Sequence, residues 1–313
     1  MTLVPRPLRP DDAEAALALL HGYDRLHFGR PVLTSGDLAS AWADPDFSLD
    51  RDSEGWFDGD LLVAFMTLDP QGQVELAVDP GWAGAGLEEV LAGRGEALAR
   101  RHGMCAVRRM VAESDIAGRE ALHQRGYGWH HTCWVLALEP GAAVVGPAPP
   151  AGYVVRPLAE LDAEAAYAVV VAAFSEWGGA RRSYAGWRAD VLDRPDATPA
   201  HSRVALAKGQ VVAACLVLDP EPGQDQEIWV AQLAVDREHR GRGLARLLLA
   251  EVITAARGRG VPGAALSTDT RTGALALYQR LGFEVRHTLQ YWQRDLRAGP
   301  GAPADSPASP GSG

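Results

Sequence analysis

The stretch that decides the fold is Arg240-Gly241-Arg242-Gly243-Leu244-Ala245, which lies where an apolar strand gives way to an amphipathic helix. The preceding segment, from Ile228 to Val235, has the apolar composition of a buried strand. From Leu244 to Ala255, apolar residues recur at intervals of three or four, which is one face of a helix. The sequence therefore predicts a tight turn that joins the end of a strand to the start of a helix.

This turn favours an anionic ligand. The first N–H groups of a helix have no acceptor within it, and the helix dipole is positive at that end. Gly241 and Gly243 allow a ligand to approach the backbone, and Ala245 is small enough to leave room for a pyrophosphate. Positive charge is supplied by three arginines of the turn and the first helical residues, Arg240, Arg242 and Arg246.

Composition divides the chain into two domains, a linker and a tail. Residues 139–152 are rich in proline, glycine and alanine, which cannot continue a helix or a central strand, so they are predicted to be a linker. Residues 297–313 contain too few large apolar groups to offset their ordering entropy and are predicted to be disordered. The domains are then 1–138 and 153–296, each α/β (α+β) with a central mixed β-sheet flanked by helices.

The second domain reads as alternating strands and helices. Helical spacing is found from Ala163 to Phe174 and from Tyr184 to Leu192, and three apolar strands follow, the last of which leads into the turn. Two strands, Phe283–His287 and Gln290–Leu296, are predicted to close the domain.

The first half repeats this order in a degraded form. It has a glycine cluster at Ala83-Gly84-Ala85-Gly86 and a helix-ending Gly126, separated by nearly the same number of residues as Arg240 and Gly282. A shared spacing of this kind indicates duplication of one fold.

At these residues the second domain resembles the GNAT acyltransferase superfamily. Its signature is Arg or Gln, two residues, Gly, one residue, and Gly or Ala, and it is matched by Arg240, Gly243 and Ala245. A Leu-Tyr pair shortly before Gly-Phe is also typical, and Leu277-Tyr278 and Gly282-Phe283 match it. The resemblance implies two tandem GNAT-like domains.

The resemblance also implies a co-substrate and a catalytic acid. Acetyl-CoA, or another acyl-CoA, would bind with its pantetheine and thioester carbonyl along the backbone of Leu233 to Val235. Tyr278 would give its proton to the departing sulfur. The implied cofactor-binding residues are Leu233, Ala234, Val235, Arg240, Gly241, Arg242, Gly243, Leu244, Ala245 and Arg246.

The general base and the acceptor site are less closely specified. Strand alternation would aim Glu227 along the same face as Trp229 and Ala231, which makes it the first candidate base. Water, or an amine that enters already neutral, is the alternative. In relatives a helical segment covers the acceptor, and there this chain offers an aromatic wall with one carboxylate: Glu176, Trp177, Tyr184 and Trp187.

The first domain has lost the matching side chains. Ala83 replaces Arg240, and Glu88, a carboxylate that would repel a pyrophosphate, replaces Ala245. Leu122 stands in place of Tyr278. We therefore expect no acyl transfer in residues 1–138.

The net charge and the cysteine content limit which binding partners and which cellular compartment are expected. The formal net charge is −10 without a basic block, so no nucleic acid partner is expected. No apolar run reaches membrane-spanning length. Three unclustered cysteines predict reduced thiols and a cytoplasmic protein, and His130, His131 and Cys133 are not expected to bind a metal because adjacent strand residues face opposite ways.

The sequence thus predicts an N-acetyltransferase that moves an acyl group from acyl-CoA directly to the amine of a small molecule. Two alternatives stay open. One is a mycothiol-synthase-like acetyltransferase, suggested by the tandem organisation. The other is a non-catalytic acyl-CoA-binding or interaction protein.

Overall fold

The computed structural model describes residues 3–177, 182–221 and 226–297. Internal contacts divide the chain into two compact units. Unit 1 contains the described residues up to Cys133 and those from Thr288 onward, and unit 2 runs from Trp134 to His287. Each unit therefore has its own core.

The elements of unit 1 begin with a short edge strand and two helices. In chain order they are β1 (Val4–Arg6), α1 (Ala13–Phe28), α2 (Ser35–Trp42), α3 (Leu49–Asp52), β2 (Ser53–Asp58), β3 (Leu61–Leu68), β4 (Val74–Val78), α4 (Leu87–Arg101), β5 (Ala106–Ala112), α5 (Ile116–Gln124) and β6 (Gly128–Leu138). The last residues of β6, from Trp134, belong to unit 2.

Unit 2 follows with the same alternation of strands and helices. Its elements are β7 (Tyr153–Pro157), α6 (Ala163–Ser175), α7 (Tyr184–Val191), β8 (Arg203–Ala207), β9 (Gln210–Leu218), β10 (Glu227–Val235), α8 (Leu244–Gly258), β11 (Gly263–Asp269), α9 (Leu275–Arg280) and β12 (Glu284–Asp295). The residues of β12 from Thr288 belong to unit 1.

Each unit is built around paired strands. In unit 1, β1 to β4 form an antiparallel sheet in chain order, and β5 pairs antiparallel with the Leu289–Asp295 part of β12. In unit 2 the strands β11-β10-β9-β8-β7 lie in this order, and β10 pairs in parallel with β11 and antiparallel with β9, while β9–β8 and β8–β7 are antiparallel. The mixed sheets flanked by helices agree with the predicted fold class.

Two apolar layers cover the two faces of the unit 2 sheet. One layer contains the buried side of α8 together with Tyr278 and Phe283, and the other contains α6 and α7 with the fully buried Trp187. Helix α8 follows the sequence pattern closely, since its buried residues recur every three or four positions. This amphipathic face fixes the start of the helix against the sheet.

A β-bulge interrupts β10 between Val230 and Gln232, where its register with β9 shifts by one residue. One extra residue reverses the alternation of side chains beyond it. Ile228 and Val230 therefore share the α8 layer with Leu233 and Val235, while Ala234 packs in the α6 layer. Ala231 is the extra residue of this bulge, and the expectation that Glu227 shares a face with Trp229 and Ala231 stays a prediction.

The end of the chain differs from the sequence-based expectation. Two final strands were expected, whereas β12 is one continuous strand from Glu284 to Asp295. The residues between the two expected strands, Thr288 and Leu289, include neither glycine nor proline, so nothing breaks the extended backbone there.

The linear boundaries 1–138, 139–152 and 153–296 stay a prediction. Apart from Arg297, the predicted disordered tail lies outside the described residues.

Among the helices of the described ranges, none is both long enough and apolar enough to cross a bilayer.

We predict that the α8 layer supplies much of the stability of unit 2. Leu248 is fully buried there, so Leu248→Ala should lower the free energy of unfolding by about 2–5 kcal/mol. Leu161→Ala is the matched control, because Leu161 is 83% exposed and should change stability by less than about 0.5 kcal/mol. Urea unfolding of both variants measures the difference. Equal losses would contradict the assignment of α8 to the core.

Candidate functional site

The turn before α8 has the backbone that its glycines predict. Gly241 and Gly243 adopt φ values of 74° and 80°, a left-handed conformation that other residues seldom take. Leu247 N–H makes the first hydrogen bond to Gly243 at 2.9 Å. Within the described part of the chain, the N–H groups of Gly243, Leu244 and Ala245 have no acceptor. The helix start can therefore bind an anion.

Strand β10 separates from β11 just before this turn. Their parallel pairing covers Glu227–Val230, whereas pairing with β9 continues to Val235. The backbone of Leu233–Val235 is thus held on one side only. An extended ligand can hydrogen-bond to the other edge of the strand.

Arg240, the first residue of the signature, is engaged by the protein itself. Its guanidinium donates to both carboxylate oxygens of Glu176, at 2.8 and 3.0 Å, and its Nε donates to the carbonyl of Val235 at 3.0 Å. The guanidinium carbon also lies 5.6 Å from the centre of the Trp177 ring. The bond to Arg240 lowers the pKa of Glu176. A phosphate that binds Arg240 in the same way would have to displace Glu176.

The other two arginines contact neighbouring segments. Arg242 lies 5.9 Å from the ring of Tyr153, and Arg246 Nε donates to the carbonyl of Val145 at 2.9 Å. A Cβ added to Gly243 would lie 3.2 Å from Pro147. The predicted linker therefore packs against the start of α8 at the same place as the arginines.

Tyr278 lies in the apolar layer beneath the turn. Its ring is buried, 8% exposed, in the same cluster as Leu233 and Val235, so the structure brings together the predicted acid and the predicted thioester strand. Burial, reinforced by the nearby Cys215, raises the pKa of Tyr278 to about 12. No described residue accepts from or donates to its hydroxyl, which leaves that hydroxyl available to a ligand.

Glu227, the candidate base, is held in an ion pair. Arg286 donates to both of its oxygens, at 2.7 and 2.8 Å, and the pair is about four-fifths buried on the Glu227 side. Glu227 is the first residue of β10, in the part of the strand that pairs with β11. The contacts of Glu227 are therefore those of a structural bridge, and its role as a base stays a prediction.

The four proposed acceptor residues fall into two groups. Glu176 and Trp177 contact Arg240 at the turn, whereas Tyr184 and Trp187 pack with Tyr167 in the α6 layer. The Tyr184 and Trp187 rings stack with centroids 5.9 Å apart, and Trp187 is only 2% exposed. Tyr184 and Trp187 thus belong to the apolar α6 layer, whereas Glu176 is exposed to solvent beside the turn.

Two residues near the candidate site, Gln232 and Cys215, were not predicted from the sequence to lie there. Gln232 Oε1 accepts from the buried indole N–H of Trp187 at 2.8 Å, and its amide therefore presents its own N–H groups from the central strand. A glutamine within an otherwise apolar strand was the available signal. Cys215 is fully buried near Tyr278, and burial raises its pKa to about 12, so it is an inert apolar neighbour. Its proximity to Tyr278 could not be predicted, because the two residues are far apart in sequence.

The corresponding turn of unit 1 has the same backbone and different side chains. Gly84 and Gly86 adopt φ values of 79° and 76° before α4, as Gly241 and Gly243 do before α8. Glu88 occupies the first turn of α4, and Leu122 is buried in the unit 1 core. The expectation that unit 1 does not transfer acyl groups stays a prediction.

Over the described ranges, no group of three or more histidine, cysteine, aspartate or glutamate side chains is arranged to hold a metal ion.

Comparison with known proteins finds a family match within the second unit. Residues 165–283 match the model of the acetyltransferase (GNAT) family. N-acetyltransferase 8F1 of Rattus norvegicus is 36% identical over 87 residues, which are 26% of this chain and 39% of that protein. The chain thus matches about two-fifths of the length of this curated relative.

Solved structures extend the likeness to both units. A GCN5-related N-acetyltransferase from Sphaerobacter thermophilus superposes with a TM-score of 0.75 at 24% identity, covering 97% of this chain and 98% of the other. A tandem GNAT protein from the clavulanic acid biosynthesis pathway gives a TM-score of 0.72 at 21% identity, covering 96% and 100%. The chain therefore contains a GNAT acetyltransferase domain and has a tandem GNAT fold.

A double-mutant cycle tests the structural role of Glu227. Glu227→Gln and Arg286→Gln should each destabilise unit 2, and the double variant should lose less than the sum. We expect a coupling of about 1 kcal/mol, because the pair is bidentate but still partly exposed. Urea unfolding of the four proteins measures it. Strictly additive losses would contradict the ion pair.

Proposed function

We propose that the GNAT domain of unit 2 is an acyl-CoA-dependent N-acyltransferase, with acetyl-CoA as the donor, that acylates an amine of a small molecule. The observation that carries this proposal is the separation of β10 from β11 immediately before the start of α8, where the first N–H groups have no acceptor among the described residues. A long ligand with a pyrophosphate at one end and a carbonyl at the other matches that arrangement. The N-acetyltransferase relatives support an amine as the acceptor.

In this proposal the backbone holds the donor. The turn Gly241–Ala245 binds the pyrophosphate through its N–H groups, with Arg240, Arg242 and Arg246 around it. The open edge of Leu233–Val235 binds the pantetheine and polarises the thioester carbonyl. Both sets of contacts come from main chain that α8 and β9 keep in place, so little has to be reorganised when the donor binds.

The reaction then needs one proton to be moved. The amine nitrogen attacks the thioester carbon, the C–S bond breaks, and the proton lost by the nitrogen ends on the sulfur. Tyr278 keeps its own proton at neutral pH, because its pKa is about 12. Transfer from such a phenol to a thiolate of pKa about 8.5 is uphill. We therefore propose that Tyr278 donates to the sulfur while it is resupplied by the nitrogen that has attacked as a neutral amine and carries a positive charge in the tetrahedral intermediate.

The acceptor is proposed to enter from the α6 side of β10, where Gln232 and Trp177 lie. Glu227 could act as the base only after Arg286 releases one of its oxygens. An amine that enters already neutral, or a water molecule, avoids this requirement. The identity of the amine is set by the shape of this side of the site.

Replacing the proposed acid should separate binding from turnover. Tyr278→Phe should keep its affinity for acetyl-CoA and lose about 100-fold in the rate of CoA thiol release with an accepted amine. Tyr291→Phe, a tyrosine of unit 1, is the matched control and should be unchanged. Thiol release measures the turnover rate, and calorimetry measures the affinity for acetyl-CoA.

The amine panel also tests the two alternative functions. If wild type releases no thiol with any member of a broad amine panel, the non-catalytic alternative replaces the enzyme proposal. Cysteinyl glucosaminyl inositol in that panel tests the mycothiol-synthase-like alternative.

The two glycine turns provide a matched pair for the donor site. Gly243→Ala and Gly86→Ala both place a Cβ at a φ near 80°, at a cost of about 1–2 kcal/mol in stability. We expect only Gly243→Ala to weaken acetyl-CoA binding, by about tenfold, since that turn must shift away from Pro147. Kd values from calorimetry give the comparison. Equal effects on binding would place the donor elsewhere.

A further inference from the structure

The arginine at the start of the signature is already bound to a carboxylate. The two terminal nitrogens of the Arg240 guanidinium donate to the two carboxylate oxygens of Glu176, at 2.8 and 3.0 Å. A guanidinium binds a phosphate with the same paired geometry and through the same two nitrogens. Glu176 therefore occupies the position on Arg240 that one phosphate group of a donor would take.

Arg240 has a second contact that does not involve Glu176. Its Nε donates to the carbonyl of Val235 at 3.0 Å. The N–H of Asp236 bonds to Val212 of β9, so the neighbouring residue Val235 turns its own N–H and C=O away from β9. The Val235 carbonyl thus lies on the open edge of β10, and it anchors Arg240 there independently of Glu176.

Glu176 can leave Arg240 at a low cost. It is the cap residue directly after α6, where the negative end of the helix dipole disfavours a carboxylate. The side chains of Glu176 and Arg240 are each about a third exposed, so water can solvate the released carboxylate. The bond to Arg240 lowers the pKa of Glu176, so the carboxylate is ionised at neutral pH. Glu176 is therefore a charged ligand of Arg240 that another anion can displace.

Unit 1 lacks both members of this pair. Just before α1 and α6, each unit has an arginine that donates two hydrogen bonds to an aspartate six residues later, namely Arg6 to Asp12 and Arg156 to Asp162. These matching pairs align the two helices and place Leu26, which is 77% exposed, at the position of Glu176. At the turn, Ala83 stands in place of Arg240. Of the two units, the one that has the arginine therefore also has the carboxylate.

We propose that Glu176 is an internal competitor of the acyl-CoA donor: it occupies Arg240 in the free protein and gives way to a phosphate group of the pyrophosphate when the donor binds. This inference rests on the proposed function, which places the donor at the turn. The apparent affinity of a ligand is reduced in proportion to the fraction of the protein in which its site is free. An exposed ion pair should thus weaken donor binding by about two- to sixfold.

The competition acts on the donor and on the product alike. Acetyl-CoA and CoA carry the same pyrophosphate, and the thioester takes no part in the exchange at Arg240. A carboxylate that returns to Arg240 as CoA leaves therefore limits inhibition by the product.

Calorimetry on the full chain, with acetyl-CoA and CoA as separate probes, tests the competition. Glu176→Gln should lower both Kd values by about two- to sixfold relative to wild type. Glu176→Ala, which leaves no side-chain acceptor, should lower them as well. Glu238→Gln is the matched control, because Glu238 is an exposed carboxylate just before the turn that forms no ion pair with a described residue. Its Kd values should equal those of wild type.

Substitution of Arg240 separates competition from simple charge repulsion. In an Arg240→Met background there is no guanidinium to compete for, so Glu176→Gln should no longer change the Kd, while Arg242 and Arg246 still carry positive charge. Arg240→Lys keeps the charge without the paired hydrogen bonds, and in that background the gain from Glu176→Gln should be smaller than with arginine. A gain of the same size in all three backgrounds would show long-range repulsion and would disprove the competition.

The results also separate this inference from the proposed function. If wild type and Glu176→Gln bind acetyl-CoA with equal Kd values, or if Glu238→Gln tightens binding as much as Glu176→Gln does, the competition is wrong and the donor site stands. If neither wild type nor any variant binds acetyl-CoA, the donor site itself is wrong, and the competition is wrong with it.

Discussion

The bulge in β10 is the constraint on which the geometry of the second unit depends. One inserted residue between Val230 and Gln232 reverses the facing of every side chain that follows. It turns Leu233 and Val235 toward Tyr278 and turns Gln232 toward Trp187. It also coincides with the point at which β10 leaves β11, so one irregularity sets both the open strand edge and the residues on its two faces.

Much of this fold could be predicted from the sequence, because local rules and tertiary packing agree there. The glycines at 241 and 243 permit a left-handed backbone at the turn, and the apolar period of α8 decides which face is buried. The bulge could not be foreseen, since no single residue type demands one. Without it, strand alternation puts Glu227 on a face with Ala231, and the ion pair to Arg286 involves a residue far away in sequence.

The two glycine turns separate the contribution of the backbone from that of the side chains. Gly84 and Gly86 have φ angles close to those of Gly241 and Gly243, but the turn at Gly84 and Gly86 lacks the small residue and the arginines found at the second turn. The same backbone conformation therefore occurs with different side chains around it.

The last strand has a consequence for how this chain can be divided. The residues of β12 from Leu289 pair with β5 of unit 1, although they are made after everything in unit 2. A ribosome must finish the second unit before the first has its final strand. A fragment cut at the linker would expose an unpaired edge of β5, which invites association with other chains. The compact units therefore do not coincide with continuous stretches of the sequence.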